Sequence, residues 1–574
     1  MTHYGPIVGQ WCSEAEVNRL RSLRPSNARF HFDQQEMWRR TMNKRVISAR
    51  VMLCCLALAQ AACGGGDDPP TQAATAPTTT SSLSVPLATC GAGDTPEKGL
   101  QGQVPMSERA AGFQGYTCNL TKASNVPAPD NGYRQFVSVR DRSGHVCGYA
   151  GGVTSLGSSN TMVVDMTNPD QLVQTAVLSS PAMTSPGEGL RTHTGRGLLI
   201  AAHYNASPGT TSESHGFDVY DVGTDCRFPQ LLTTTELMFN TADSLPWPGV
   251  GPWPASDAVF GHEGAISQDG LTYYIGDFPH NAYHAVDITD PTKPVLLSSF
   301  VPPSATGLKD PLTGQGVVHG LSVSNDGTRT YFTTGAIAFR SDAMVPQTGE
   351  WHNGFLVVDT SEIQARTPNA KMRLIHEENY HDNEAEQMTI PFTVKGHRYL
   401  LSTGESGTGG LGPKGKKQAC AAGLTPFGIA RIYNLDDESN PALVKKIVLE
   451  ANDPKNCSLV EGEIDSGYGL AYDSHMCSVD NRDEATTLVC SHFLSGIRVF
   501  DIRDPANLKE IAYYNPPSVT GPGKPIPWCG AISTLDALTG RLYSACGGIG
   551  VLSLKFAHSV WPFTGSTTPA DKQL

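Results

Sequence analysis

Apolar residues in the C-terminal four-fifths of the chain come in short runs, most of them closed by an acidic residue and a turn. The run Val163-Val164-Asp165-Met166-Thr167-Asn168-Pro169 returns as Val219-Tyr220-Asp221-Val222, Ala285-Val286-Asp287-Ile288-Thr289-Asp290-Pro291 and Val357-Val358-Asp359. Two more copies are Ile432-Tyr433-Asn434-Leu435 and Val499-Phe500-Asp501-Ile502-Arg503-Asp504-Pro505. Runs of this length, alternating or wholly apolar and bounded by turn residues, predict β-strands. Around Asp287 the pattern gives four of them, at 264–267, 271–275, 283–287 and 295–300. Gln268-Asp269-Gly270 makes a tight turn, and Pro291 and Pro294 stop the third strand because proline cannot donate to a ladder.

Such units repeat at roughly 134–179, 188–237, 261–300, 317–376, 384–450, 467–515 and 527–554. A recurring supersecondary unit decides the architecture before any local detail does. The seventh unit has only three strands before the chain runs out of apolar pattern, and Tyr116-Thr117-Cys118-Asn119-Leu120 is the expected donor of the fourth. Closing a ring with a strand from the other terminus removes the exposed edges of an open array. The expected fold is therefore all-β, a seven-bladed β-propeller over 106–556, with 557–574 as a C-terminal tail.

Composition agrees: 59 Gly and 40 Pro suit a chain dominated by turns between strands. Net charge is -13, and beyond residue 63 the balance is 33 Lys+Arg against 51 Asp+Glu. An acidic body without a basic stripe argues against nucleic-acid binding.

The N-terminal region reads as an address. Lys44, Arg45 and Arg50 precede the apolar run 51–59, too short to span a bilayer but suited to a signal peptide over 42–63. Residues 1–41 would bury that signal far from the terminus, which makes Met42 rather than Met1 the expected start. Ala61-Ala62-Cys63 followed by Gly64-Gly65-Gly66 resembles a bacterial lipoprotein signal, which implies lipidation at Cys63 and outer-membrane sorting. Residues 64–105, rich in Gly, Pro, Thr, Ala and Ser, are expected to form a flexible tether.

Ten cysteines follow Cys63, an even number that reads as disulfides in an oxidising compartment. Cys477 with Cys490, and Cys529 with Cys546, each bracket one turn and are candidate hairpin staples.

The repeated phrase, clearest at Gly496-Ile497-Arg498-Val499-Phe500-Asp501-Ile502-Arg503-Asp504-Pro505, resembles the LVIVD-repeat propellers of bacteria over about residues 112–556. That resemblance implies a cell-surface propeller. The chain is also distantly similar to the selenium-binding and methanethiol-oxidase propellers, which combine this phrase with a histidine-bound metal. The nearest approach here to their histidine run is Thr192-His193-Thr194.

Propeller topology turns spacing into geometry. Turns between first and second and between third and fourth strands are short and share a plain face. Connections around 240–259, 301–316, 404–427 and 451–466 are long and share an elaborated face, where binding is expected. His262 and His319 each lie seven residues before Asp269 and Asp326 of an Asp-Gly turn, and His475 takes the matching place in the sixth blade. Glu188 and Glu386 fall near the same register. Three imidazoles and one or two carboxylates at the channel mouth would suit Cu, Zn or Fe. Equally, they would serve as hydrogen-bond partners for strand ends around a watery channel.

His145, His203, His280, His284 and His492 read as solvated loop or strand-end residues, and Gly404–Gly410 as a flexible loop. Trp247, Trp253 and Trp351 sit in long connections, suited to stacking on a ligand or to anchoring the loops. Three functions follow as expectations. One is a lipid-anchored binding scaffold, monomeric, taking a protein or small molecule on its long-loop face. The others are a metal-dependent periplasmic oxidoreductase and a docking ring for envelope proteins.

Overall fold

Seven antiparallel blade sheets follow one another along the chain in the computed structural model, with a separate two-stranded ribbon, Met238–Asn240 paired with Ser256–Ala258, between the second and third. The structure describes residues 83–574 apart from 129–134, 154–159, 205–215, 242–254, 304–317, 336–352, 381, 383, 520–526, 564–567 and 570–571. The expected signal peptide, Cys63, the choice between Met1 and Met42, and Trp247, Trp253 and Trp351 lie outside the described residues.

Within the first five blades the strands run from inner to outer in chain order, and blades 6 and 7 add an outermost strand from the N-terminal stretch. Blade 3 is representative, with strands Glu263–Ile266, Thr272–Asp277, Ala282–Asp287 and Val295–Phe300. Buried Val, Ile, Leu and aromatic residues from facing blades interdigitate, so each of the seven interfaces has its own apolar cluster. This all-round burial explains why the strands read as near-continuous apolar runs.

The repeated acidic residue caps the third strand. Asp165, Asp221, Asp287, Asp359, Asn434 and Asp501 each accept, through Oδ1, the backbone N–H two residues on, at 2.8–3.1 Å. An Asx turn satisfies a donor that the departing strand leaves behind. Ser553 occupies that place in blade 7, inside the strand Gly550–Phe556, and makes no such turn.

Ring closure differs in detail from the expectation. Tyr116–Cys118 pairs with the outer strand of blade 6, Lys509–Asn515, as a fifth strand. The fourth strand of blade 7 is the next segment, Leu120–Val126, paired with Gly550–Phe556. Asn119, at φ 55°, makes the corner between the two. One N-terminal stretch thus clamps both sides of the seam.

The tether also ends earlier than 105. Val85 is buried and donates its N–H to Val448 O, Cys90 is bonded to Cys118, and Gln101 and Val104 are buried. Sparse but well-placed apolar residues and a disulfide hold this segment, which composition alone assigns to linker. At the other end Trp561 joins the core between blades 6 and 7. Gln573 bonds the backbone of Val479 and Leu535 at the plain-face ends of two inner strands.

All ten described cysteines pair: Cys90–Cys118, Cys147–Cys226, Cys420–Cys457, Cys477–Cys490 and Cys529–Cys546.

Leu120, fully buried at the closing strand, is expected to cost about 2–5 kcal/mol when cut to alanine. Leu87→Ala, at a site 56% exposed, serves as the control. Guanidinium unfolding checks this: the Leu120→Ala midpoint falls while the control holds, and equal midpoints would refute a closing role for the strand.

Candidate metal centre

Because every inner strand starts at the elaborated face, the residues just before the strands meet at the channel mouth. His262 precedes Glu263–Ile266, His319 precedes Leu321–Val323 and His475 precedes Cys477–Val479. Glu188 precedes the inner strand of blade 2, Arg191–His193. Blade 5 reaches the same level from a returning strand, His397–Ser406, whose penultimate residue is Glu405.

The five side chains are almost wholly buried and face one another. Glu188 Oε2 lies 3.3 Å from His262 Nε2 and 4.0 Å from His319 Nε2. Its Oε1 lies 3.3 Å from His475 Nε2. Glu405 Oε2 is 3.7 Å from His319 Nε2 and its Oε1 3.4 Å from His475 Nε2.

Backbone carbonyls set two of the rings. His319 Nδ1 bonds Glu386 O at 2.5 Å, and His475 Nδ1 bonds Gly530 O. A carbonyl only accepts, so both Nδ1 atoms carry hydrogen, which turns Nε2 and its lone pair to the centre in the neutral ring. This is the outer support that metal-ligating histidines use. Neither ring nitrogen of His262 completes a hydrogen bond among the described residues, and nor does His475 Nε2.

A second layer fixes the acids. Gln387 Nε2 donates to Glu188 Oε2 at 3.0 Å and lies 3.5 Å from Glu263 Oε2, and Arg191 Nη2 pairs with Glu263 Oε1 at 3.1 Å. Gly320 makes room for this: a Cβ there would stand 1.9 Å from Gln387 O and 2.2 Å from Glu263 Oε2. Aromatic rings enclose the imidazoles. Tyr204 is 4.7 Å and Phe278 4.9 Å from His262, and Phe493 lies 4.7 Å from His475 and 5.3 Å from Trp528. Below the centre, a cavity of about 30 Å³ is lined by Arg191, Thr192, Ser322 and Thr389 and floored by Arg482 and Leu574.

The electrostatics of the cluster are set by its two buried acids. Burial pushes the Glu188 carboxyl up, but His262 and His475 together hold it well below the usual carboxylate range. Burial likewise opposes ionisation of Glu405, and His475 overrides it. His475 pays for this with a value raised to about 9: burial disfavours its charge, but Glu188 and Glu405 demand it. His319, buried and beside His262, is pushed down to about 4. One imidazolium thus faces two buried carboxylates and offsets only one of their two negative charges. Charge buried this deeply is stable only when matched.

The structure brings together four of the five residues singled out from the sequence: Glu188, His262, His319 and His475. Glu386 does not join them. The inner strand of blade 5 is bulged between Glu386 and Thr389, which hands the channel-facing place to Gln387. Glu386 turns into the blade, 3.4 Å from Arg431 and bonded by Ser402 at 2.8 Å, where Arg431 also meets Asp382 and Glu384. Its replacement, Glu405, lies in the stretch read as a glycine-rich loop. Gly404–Ser406 is strand, and the end of a second strand returns to the face where the first began.

His193 sits at the plain-face end of its strand, with Nε2 2.9 Å from Gln268 O, away from the centre. His203, His280, His284 and His492 are buried rather than solvated. His280 Nδ1 and His284 Nε2 both meet Asp277 Oδ2, at 2.8 and 3.2 Å, and His280 Nε2 lies 3.5 Å from Asp257. His145 pairs with Asp141 at 2.8 Å.

Fold and site together define a seven-bladed β-propeller with a buried histidine–glutamate centre at its channel mouth. No family model matches the chain, and no curated protein matches it. Among solved structures it is similar to a putative 6-phosphogluconolactonase from Bacteroides uniformis, at 14% identity over 75% of this chain and 96% of that one, TM-score 0.43. It is also similar to the periplasmic gluconolactonase of Pseudomonas aeruginosa, at 11% identity over 72% and 99%, TM-score 0.42. The hydrazine synthase of Kuenenia stuttgartiensis gives 14% over 74% and 94%, TM-score 0.41. These likenesses concern the fold.

The Asp277–His280 pair gives the fold a pH signature. Burial works against both charges, but the pair holds Asp277 at about 2 and His280 above 6.5. Asp277's contribution is present above its ordinary 3.8 and fades as pH falls toward 2. His280's is full below 6.5 and is lost as pH rises through its elevated value. His280→Asn keeps a donor without the charge. It should lower stability by about 1.5–3 kcal/mol between pH 4 and 6.5, with a smaller gap at pH 2 and in alkali. Denaturant midpoints across pH measure the gap, and a pH-independent one would reject the ion pair.

Proposed function

We propose that the chain is an exported metalloprotein, a propeller that holds a divalent transition-metal ion at its channel mouth and uses it in oxidoreductase chemistry. The observation that carries this reading is the convergence of three imidazole Nε2 atoms on two carboxylates inside a buried, aromatic-walled site. Bonds of about 2.0–2.2 Å to one ion place neighbouring donors about 3.0–3.5 Å apart. Of the five donor separations, 3.3, 3.3 and 3.4 Å fall within that range, and His319 stands further out at 3.7 and 4.0 Å. Two carboxylates with three neutral imidazoles cancel the charge of a divalent ion, relieving His475 of its proton. Imidazole and carboxylate donors suit Fe, Zn or Cu, and the described cysteines, all disulfide-bonded, offer no thiolate.

When bound, the ion supplies Lewis acidity and, as iron or copper, a one-electron couple. The chain's own residues do the rest. Glu386 O and Gly530 O orient two ligands, Gln387 holds Glu188, and Tyr204, Phe278, Phe493 and Trp528 keep water out. Arg482 and Leu574 floor the channel, so a ligand approaches from the elaborated face. Five disulfides support an oxidising compartment. The lipid anchor at Cys63 and kinship with LVIVD-repeat surface propellers belong to the same proposal.

The test is metal analysis of the full-length chain made in a bacterial periplasm. Wild type is expected to carry metal in proportion to protein, and a His262→Ala/His319→Ala variant to carry almost none. A folded wild type without metal would favour the scaffold and docking-ring readings instead. Gln387→Met, which removes the bond to Glu188, should weaken metal affinity about 10–100-fold at unchanged stoichiometry. Competition with a chromophoric chelator reads this out, and unaltered affinity would count against the role given to Gln387.

A further inference from the structure

The oxygens of the two carboxylates are shared out in a pattern that one ion does not require. Glu188 turns Oε2 to His262 and His319 and Oε1 to His475. Glu405 does the same, with Oε2 toward His319 and Oε1 toward His475. The donors accordingly sort into two sets that share Glu188: Glu188, His262 and His319, and Glu188, Glu405 and His475, with the ligand atoms of each set within 4.8 Å of one another.

We propose that the centre is dinuclear, with one ion held by His262, His319 and Glu188, a second by His475, Glu405 and Glu188, and both carboxylates spanning the pair. The proposal rests on the metal reading above and sharpens it. Two ions draw on both oxygens of each acid, which matches the way Oε1 and Oε2 are divided between the two sets. Carboxylate-bridged pairs of this kind hold their ions about 3.5–4 Å apart. The buried Nε2 atoms of His262 and His475, which complete no hydrogen bond among the described residues, then lie one in each set. Two divalent ions against two carboxylates leave two positive charges, so the open positions, with three or four protein donors per ion, would take small anionic ligands such as hydroxide. The fit is to borderline divalent ions such as Zn, Fe or Cu, whose sites take imidazole with carboxylate.

Zinc stoichiometry distinguishes this claim from its parent. The full-length chain is stripped with a chelator, loaded with zinc sulfate, desalted and analysed for metal and protein. Two zinc per chain are expected in wild type, one in His475→Ala, and none in His262→Ala/His475→Ala. One zinc in wild type overturns the dinuclear assignment and leaves the metal reading standing, while none overturns both. Two zinc retained in His475→Ala overturns the ligand assignment. Wild type loaded with copper(II) gives a reading that needs no variant. A half-field electron paramagnetic resonance signal from a coupled pair is expected, and the spectrum of isolated copper alone contradicts it.

Discussion

Closure of the blade ring is the constraint on which everything else here depends. Seven sheets that pack only on their neighbours enclose a channel of fixed width only when the last blade meets the first. The N-terminal stretch does this twice over, adding Tyr116–Cys118 to blade 6 and Leu120–Val126 to blade 7. With the ring shut, the starts of inner strands far apart in sequence are held a few ångströms from one another. Glu188 and His475, 287 positions apart, come within 3.3 Å for no local reason.

That convergence creates an electrostatic problem inside a buried space. Two ionised carboxylates are costly to bury, and the cluster meets the cost by charging His475. A proton is the least demanding cation for this role. Carbonyl-set tautomers, split carboxylate oxygens and a supporting glutamine add directional preferences that a proton does not need. Those preferences, rather than burial alone, favour a metal reading over one in which polar residues merely decorate a channel.

How much was legible in the sequence follows from the physics of each signal. The Asp-terminated phrase marks a strand end and its turn, so it counts blades and tells the plain face from the elaborated one. Counting back from Asp269 and Asp326 finds His262 and His319 because those inner strands are regular. The same counting fails in blade 5, where a bulge exchanges Glu386 for Gln387. Glu405 escaped because the ruler measures only first strands, whereas a second strand ends at the same face. The donor strand was misplaced by one segment because both halves of residues 116–126 are strand-like, and pairing partners are not written in either. The packed segment from Val85 to Val104 was hidden by its composition, since a handful of buried contacts and one disulfide are enough to order it.

The most direct measurement of the central claim is anomalous diffraction at the metal's absorption edge from crystals of the full-length protein loaded with zinc. Two peaks about 3.5–4 Å apart are expected, within bonding distance of His262, His319, His475, Glu188 and Glu405. A channel mouth without an anomalous peak would contradict a metal centre there.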